Sequence, residues 1–347
     1  MTSSAKITIQ ENIPLAPLST LRVGGPARFY TRAESEEHIV AAFDHATTSG
    51  LDVFVLGGGS NILVSDSGFD GVVIHIALKG ITNAGSRITV GAGEDWDPFV
   101  AYCVEHDLAG VECLSGIPGF VGGTPVQNVG AYGQDVSESI VAVRCFDRAT
   151  KSIVDLSNSD CGFSYRTSIF NSTERDRYVV LGVTYDLVPN GSAKIEYKDL
   201  KEHFGDSRPS LREARDAVLK IRRAKSMVID ESDPNSRSAG SFFKNPIVEK
   251  TKYDAIAATA NGAAVPHFPA GENTIKIPAA WLIERSGFHK GYRSGNAGIS
   301  TKHSLALVNF GAASASEIIS LKEKIQHAVM QKFDILLMPE PVFVGFE

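Results

Sequence analysis

Two rhythms of apolar residues run along the chain. Ile39, Val40, Phe43 and Ala46 recur at helical spacing within 34–49, and Gly50 closes that run. Short β-rich stretches follow at 53–56, 62–64, 72–74 and 88–90. A second helix is predicted over 97–108, with Pro98 in the first turn, where a missing N–H breaks no hydrogen bond. Further strands are predicted around 141–146, 153–156 and 178–187. Ser210 and Glu213 have capping-box spacing and open a helix running to about Lys225. Ser314 and Glu317 repeat that spacing at the head of a longer helix ending near Phe333. Helices are also predicted near 252–260 and 277–286, the second stopped by Gly287, and an apolar run covers 335–346. Strand clusters interrupted by helices, without a regular βαβ succession, predict an α+β fold. Polar, aperiodic residues 228–238 mark a domain boundary near 227.

One stretch fits neither rhythm. Residues 114–133 read LSGIPGFVGGTPVQNVGAYG, with Gly116, Gly119, Gly122, Gly123, Gly130 and Gly133 set among Ser115, Thr124, Gln127 and Asn128. Interleaved Leu114, Ile117, Phe120, Val121 and Val126 argue for an ordered loop rather than disorder. So many backbone donors and neutral polar side chains suit a pyrophosphate and the edge of a heterocycle better than a metal. The alternative is a structural Ω-loop. A second such place is Gly57-Gly58-Gly59-Ser60-Asn61, directly after a predicted strand. Without side chains its N–H groups can approach an anion closely, though a tight hairpin turn explains the same residues. It does not open a helix, since Ile62-Leu63-Val64 continues as a β-prone run, so a Rossmann dinucleotide site is disfavoured.

Charge and composition narrow the choices. The chain has 347 residues and a formal charge of −6, a poor match to duplex nucleic acid. Cys103, Cys113, Cys145 and Cys161 show no CxxC spacing and read as buried thiols of a reducing compartment. The opening residues lack a basic-then-apolar signal pattern, and no apolar run approaches about 18 residues, so a cytoplasmic location is expected. The nine histidines form no HxH or HxxxH pair, and no metal site is expected. Three segments hold reactive residue types. Arg166 lies in SYRTS, with a surface ion pair as its alternative role. Ser241 lies in SAGSFFKNP, where a turn or cap serine is the plainer reading. Glu340 sits between two prolines in the terminal apolar run, where it is either a buried carboxyl needing a partner or the tip of a hairpin.

Taken in order, STLRVGGPA (19–27), GGGSNIL, SGIPGFVGGTPVQNVGAYG, YRTSIF, AGSFFKNP, IPAAWLIE and MPEP (338–341) resemble the UDP-N-acetylenolpyruvoylglucosamine reductase family, in its longer, type I subtype. The resemblance spans nearly the whole chain. It implies an FAD-binding module of the vanillyl-alcohol-oxidase type in two subdomains, 1–78 and 79–227. A C-terminal substrate-binding domain, 228–347, would follow, its last strand returning to the flavin. Neither glycine-rich loop contains a histidine, so the FAD is expected to be non-covalent. By motif, Gly57, Gly58, Gly59, Ser60 and Asn61 would bind it, with Ser115, Gly116, Ile117, Pro118, Gly119, Gly122 and Gly123. Gln127, Asn128, Gly130, Ala131, Tyr132 and Gly133 complete that set.

The same resemblance makes Arg166, Ser241 and Glu340 the catalytic residues. Tyr197 in EYKDL, Lys225 in RRAK, and Asn245 become contacts to the UDP-sugar, with an ordinary surface tyrosine as the alternative for Tyr197; Glu284 and His303 read as helix-surface or core residues. It implies an NADPH-dependent reduction of an enolpyruvyl ether to UDP-N-acetylmuramate in peptidoglycan precursor synthesis. Hydride would pass through flavin N5, and the proton would come from Ser241. The expected partners are the UDP-sugar and NADPH, without nucleic acid, membrane or obligate protein partner. Two other readings compete. An FAD-dependent alcohol or sugar oxidase of the same superfamily explains the glycine loops but not AGSFFKNP or the terminal PE. A non-enzymatic nucleotide-binding or scaffold protein gives no reason for Arg166, Ser241 and Glu340 to converge.

Overall fold

A computed structural model describes residues 6–259 and 264–346. Contacts divide the chain into two compact units. The first is built from the segment ending at Ile13, from Ala27–Gly59 and from Phe69–Val228. The second takes Pro14–Pro26, Ser60–Gly68 and the chain from Ile229 onward.

Helix α1 of the first unit, Glu36–Ser49, shows how local sequence sets its own limits. Ser35 accepts a hydrogen bond from the His38 N–H at the start, Glu36 and Glu37 sit at the positive end, and Gly50 closes it at φ 65°. Ile39, Ala42, Phe43 and Ala46 form its buried face. Among the described residues, one sheet has the order Gln10–Pro14, Pro26–Ala33, Phe69–Ile76, Val53–Leu56. Phe69–Ile76 runs parallel to both of its neighbours. A five-stranded antiparallel sheet follows in the order Ser152–Ser157, Ile140–Asp147, Tyr178–Asp186, Arg87–Gly91, Ile81–Ala84.

Helix α2 is Trp96–Glu105, shorter than the predicted 97–108. The chain leaves the helix at His106 because Asp107 adopts the left-handed region, φ 53°, and Leu108–Ala109 then pairs with Val188–Pro189. Ile74, Val90, Trp96, Phe99, Val143 and Tyr185 belong to one core. Burial of each such side chain is worth about 1.5–3 kcal/mol. Helices α3, Lys198–Phe204, and α4, Leu211–Ala224, complete the unit, and the predicted Ser210–Glu213 capping box opens α4.

The second unit holds α5, Lys250–Thr259, α6, Ala279–Arg285, and α7, Ala315–Phe333. Residue 260, the expected end of α5, lies outside the described residues. The Ser314–Glu317 capping box opens α7 as expected. Asp66 adds a distant cap, accepting from the N–H groups of Ala315 at 2.7 Å and Ser316 at 2.9 Å. Leu21, Leu63, Phe242, Phe243, Leu282 and Ile325 share this unit's core. Of the terminal apolar run, Val342–Val344 is a strand, parallel to Ile62–Val64. Because Ile62–Val64 takes that partner, the hairpin reading of GGGSN does not hold. All four cysteines are buried and reduced, and burial pushes the thiols of Cys103, Cys113 and Cys161 up to about 12. Among the described residues no helix is long and apolar enough to cross a membrane.

Candidate active site

The long glycine-rich loop is laid along residues 92–97. Gly122 donates its N–H to the Ala92 carbonyl at 2.9 Å, Val121 to Glu94 at 2.8 Å, and Trp96 to Gly119 at 2.9 Å. The Gly116 N–H donates to the Asp97 carboxylate at 2.6 Å. Burial would raise the pKa of Asp97, but hydrogen bonds from Arg215 and Gly116, with the charges of Arg215 and Arg222, hold it below the usual range. A Cβ on Gly122 would lie 2.6 Å from that of Ala92, and one on Gly58 would lie 2.6 Å from the Gly119 Cα. The two glycine-rich segments therefore touch backbone to backbone, a distance no side chain permits.

Gly57 and Gly123 have a different reason for being glycine. A Cβ at either meets no atom within 4 Å, so internal packing does not require its absence. Among the described residues, none accepts a hydrogen bond from the N–H of Gly58 or Gly59. Open space beside unused backbone donors fits an anionic ligand approached by the main chain alone. The loop's polar side chains serve mainly to hold its shape. The buried Ser115 hydroxyl donates to the Glu112 carbonyl at 2.6 Å. The Asn128 amide donates to the Ser164 carbonyl at 3.0 Å, and its oxygen accepts from the Ser137 N–H at 3.2 Å. Ile117, Pro118 and Gln127 are half-buried, and Gly130–Ala131 pairs with Gln134–Asp135 so that Tyr132 and Gly133 form the tip.

Arg166 reaches this loop. Reciprocal backbone hydrogen bonds between Ser164 and Thr167 make a tight turn that places Arg166 at φ 54°. Its guanidinium donates to the carbonyls of Gly130 at 2.5 Å and Asn128 at 3.4 Å.

At the end of α4 a second group assembles. Lys225 lies 2.9 Å from the Asp199 carboxylate, and the Tyr197 ring meets the Tyr132 ring edge-on at 5.4 Å. Burial works against the Lys225 ammonium, but the Asp199 hydrogen bond and the charges around it raise its pKa overall. Burial raises the pKa of Tyr132, against the pull of Arg222 and Lys225. Arg222 is buried, donates to the Met227 carbonyl at 2.7 Å and, among the described residues, leaves its Nε without a partner. Burial lowers its pKa, opposed by Tyr132 and Asp97. Asp97, Asp199 and Arg222 escaped the sequence reading. Arg222 carried a usable signal, because it continues the Leu211, Ala214, Val218 spacing of the buried face of α4.

Ser241 and Glu340 lie in the second unit, on two segments that pair through their backbones. Phe243 bridges Pro339, the Lys244 N–H donates to the Met338 carbonyl at 2.9 Å, and the Glu340 N–H donates to the Phe242 carbonyl at 2.9 Å. This ladder sets Glu340 across from Phe242, next to Ser241. The Asn61 amide donates to the Glu340 carbonyl at 3.2 Å, and the Val342 N–H donates to Asn61 at 2.9 Å. Glu340 is therefore held on both sides rather than carried on a hairpin tip. Ser60 accepts from the Thr20 hydroxyl at 3.4 Å, and Ser238 accepts from the same group at 2.7 Å. The Asn245 side-chain oxygen accepts from the Ala279 N–H at 2.9 Å and so holds the start of α6. Glu284 accepts from the Ser304 hydroxyl, and His303 Nδ1 from the Leu305 N–H.

Comparison with known proteins gives these sites a context. The FAD binding domain family matches residues 27–157, which include both glycine-rich loops. The C-terminal domain family of UDP-N-acetylenolpyruvoylglucosamine reductase matches 233–344, which include Ser241 and Glu340. Together with the α+β architecture these define the class, an FAD-dependent oxidoreductase. UDP-N-acetylenolpyruvoylglucosamine reductase of Thermobifida fusca is 46% identical, over 96% of this chain and 97% of its own. That of Streptomyces coelicolor is 46% identical, over 96% and 89%. The crystal structure of the Thermus caldophilus reductase matches with a TM-score of 0.66 and 25% identity, over 98% of this chain and 99% of that one. The chain belongs to the UDP-N-acetylenolpyruvoylglucosamine reductase family. The readings as an alcohol or sugar oxidase and as a non-enzymatic binding protein give way to it.

Proposed function

We propose that this enzyme reduces the enolpyruvyl ether of UDP-N-acetylglucosamine enolpyruvate to UDP-N-acetylmuramate, using non-covalent FAD and NADPH, in peptidoglycan precursor synthesis. We place it in the cytoplasm, acting on small molecules, with 1–78 and 79–227 as FAD subdomains, except that Pro14–Pro26 and Ser60–Gly68 go with 228–347 as the substrate domain. The observation that carries this reading is the backbone ladder that joins the Ser241-Phe242-Phe243 segment to the Glu340 segment within the region matching the reductase C-terminal domain.

Overall, a hydride is added to the terminal methylene carbon and a proton to the carbon bearing the ether oxygen and the carboxylate. Bound FAD would supply the hydride-transfer chemistry between NADPH and the enol ether. Gly57, Gly58 and Gly59 would hold that cofactor through bare backbone, with residues 115–133 beside them. Ser60 and Asn61 continue the first of these segments. Arg166, seated on the Gly130 and Asn128 carbonyls, offers a fixed positive charge to the carboxylate on which negative charge develops. Glu340 in its protonated form donates a hydrogen bond to that same developing charge. The Ser241 hydroxyl holds the proton destined for the adjoining carbon. So weak an acid serves only because that carbon becomes a strong base. Tyr197, Lys225 and Asn245 hold the UDP-sugar, the lysine as a point charge for the diphosphate.

The purified protein is expected to show flavin absorption bands. Without oxygen, NADPH should bleach them, and the UDP-sugar enol ether should restore them rapidly. A colourless protein, or bleached flavin that the enol ether leaves unchanged, would refute the reading.

A further inference from the structure

Tyr197 and Lys225 are 28 residues apart in sequence, yet one side chain ties them. Tyr197 caps the start of α3, and Asp199 lies in that helix's first turn. The Asp199 carboxylate takes a hydrogen bond from Lys225 Nζ at 2.9 Å, while the Tyr197 ring rests on Tyr132 of the glycine-rich loop. Both partners of the ion pair are part-exposed, with side-chain exposures of 39% and 35%. A lysine so placed would otherwise spread over many rotamers on its four-carbon stem.

We propose that Asp199 is a positioning residue that fixes Lys225 and Tyr197 as one preorganised anchor for the diphosphate of the UDP-sugar. This rests on the assignment of Lys225 as a substrate contact made above. Asp199 acts through the lysine. Its carboxylate holds one N–H of the ammonium, leaving the other two for the ligand, and keeps the start of α3 against α4. Preorganisation lowers the ordering cost of binding, so its loss appears in binding rather than in the chemical step. The carboxylate also repels the diphosphate, and a neutral residue of the same shape separates the two effects.

The test compares Asp199→Ala, Asp199→Asn, Lys225→Ala and the Asp199→Ala/Lys225→Ala double variant as FAD-loaded holoenzymes. Steady-state KM and kcat for the UDP-sugar enol ether are read at saturating NADPH. Asp199→Ala is expected to raise KM on the order of 10-fold, with kcat changing less than about threefold. Asp199→Asn keeps an acceptor for the lysine and should recover most of that loss. In the Lys225→Ala background, removing Asp199 should add almost nothing. If Lys225→Ala raises KM but Asp199→Ala leaves it unchanged or lowers it, Asp199 is not the positioning group. A full additive effect in the double variant overturns the proposal equally. If Lys225→Ala itself leaves KM unchanged, the substrate-contact assignment fails and takes this inference with it.

Discussion

The proton-donor role proposed for Ser241 depends on the backbone around it. Alone it is one serine among small residues. The buried Phe242 and Phe243 rings and the ladder to 338–340 fix the backbone that follows it. Arg166 depends just as much on shape, since its planar guanidinium reaches two carbonyls of one loop. Arg166→Lys keeps the charge but loses that fork, and flavin reoxidation by the enol ether should slow about 100-fold in single-turnover kinetics. Asp147 offers a test unrelated to catalysis. The Arg177 hydrogen bond holds its pKa down at about 2, against the opposing effect of burial and with help from the Ala149 and Thr150 N–H groups. A depressed carboxyl stabilises the fold at pH values above its unfolded pKa, about 3.9. That stability disappears as pH falls toward about 2. Thermal melts from pH 6 to pH 2 should therefore show a smaller loss for Asp147→Asn than for the parent, and parallel curves would contradict the assignment.

Elements were legible where their signals are local. Both capping boxes open the predicted helices, and Gly50 ends α1, because each signal spans only a few residues. The end of α2 was not legible, because Asp107 takes a left-handed conformation that its residue type does not announce. Nor was the Asp66 cap of α7, which joins residues 250 positions apart. Asp66→Ala should destabilise the second unit by about 0.5–2 kcal/mol in denaturant unfolding. The glycine-rich segments were legible as a pair but not as a contact, since only the fold puts Gly58 on Gly119. Gly58→Ala forces those backbones apart, and the variant should lose FAD on dialysis. Gly50→Ala supplies the control: its Cβ meets nothing within 4 Å, so the strain of φ 65° costs about 1 kcal/mol of stability while FAD stays bound. Equal retention of FAD by both variants would contradict the role given to Gly58.

At the scale of the whole molecule, family motifs lie in order along the chain, and the named reductases cover 96% of it. What those motifs do not reveal is how the chain divides. Pro14–Pro26 and Ser60–Gly68 join the second unit, an association between segments far apart in sequence that no local pattern encodes. Asn61, at the end of GGGSN, consequently helps hold Glu340. The catalytic assignment separates two half-reactions, and anaerobic stopped-flow absorbance of Ser241→Ala reads each one. NADPH should bleach the flavin within about threefold of the parent rate, while reoxidation by the UDP-sugar enol ether should slow about 100- to 10,000-fold. Equal slowing of both phases, or reoxidation at the parent rate, would contradict that assignment.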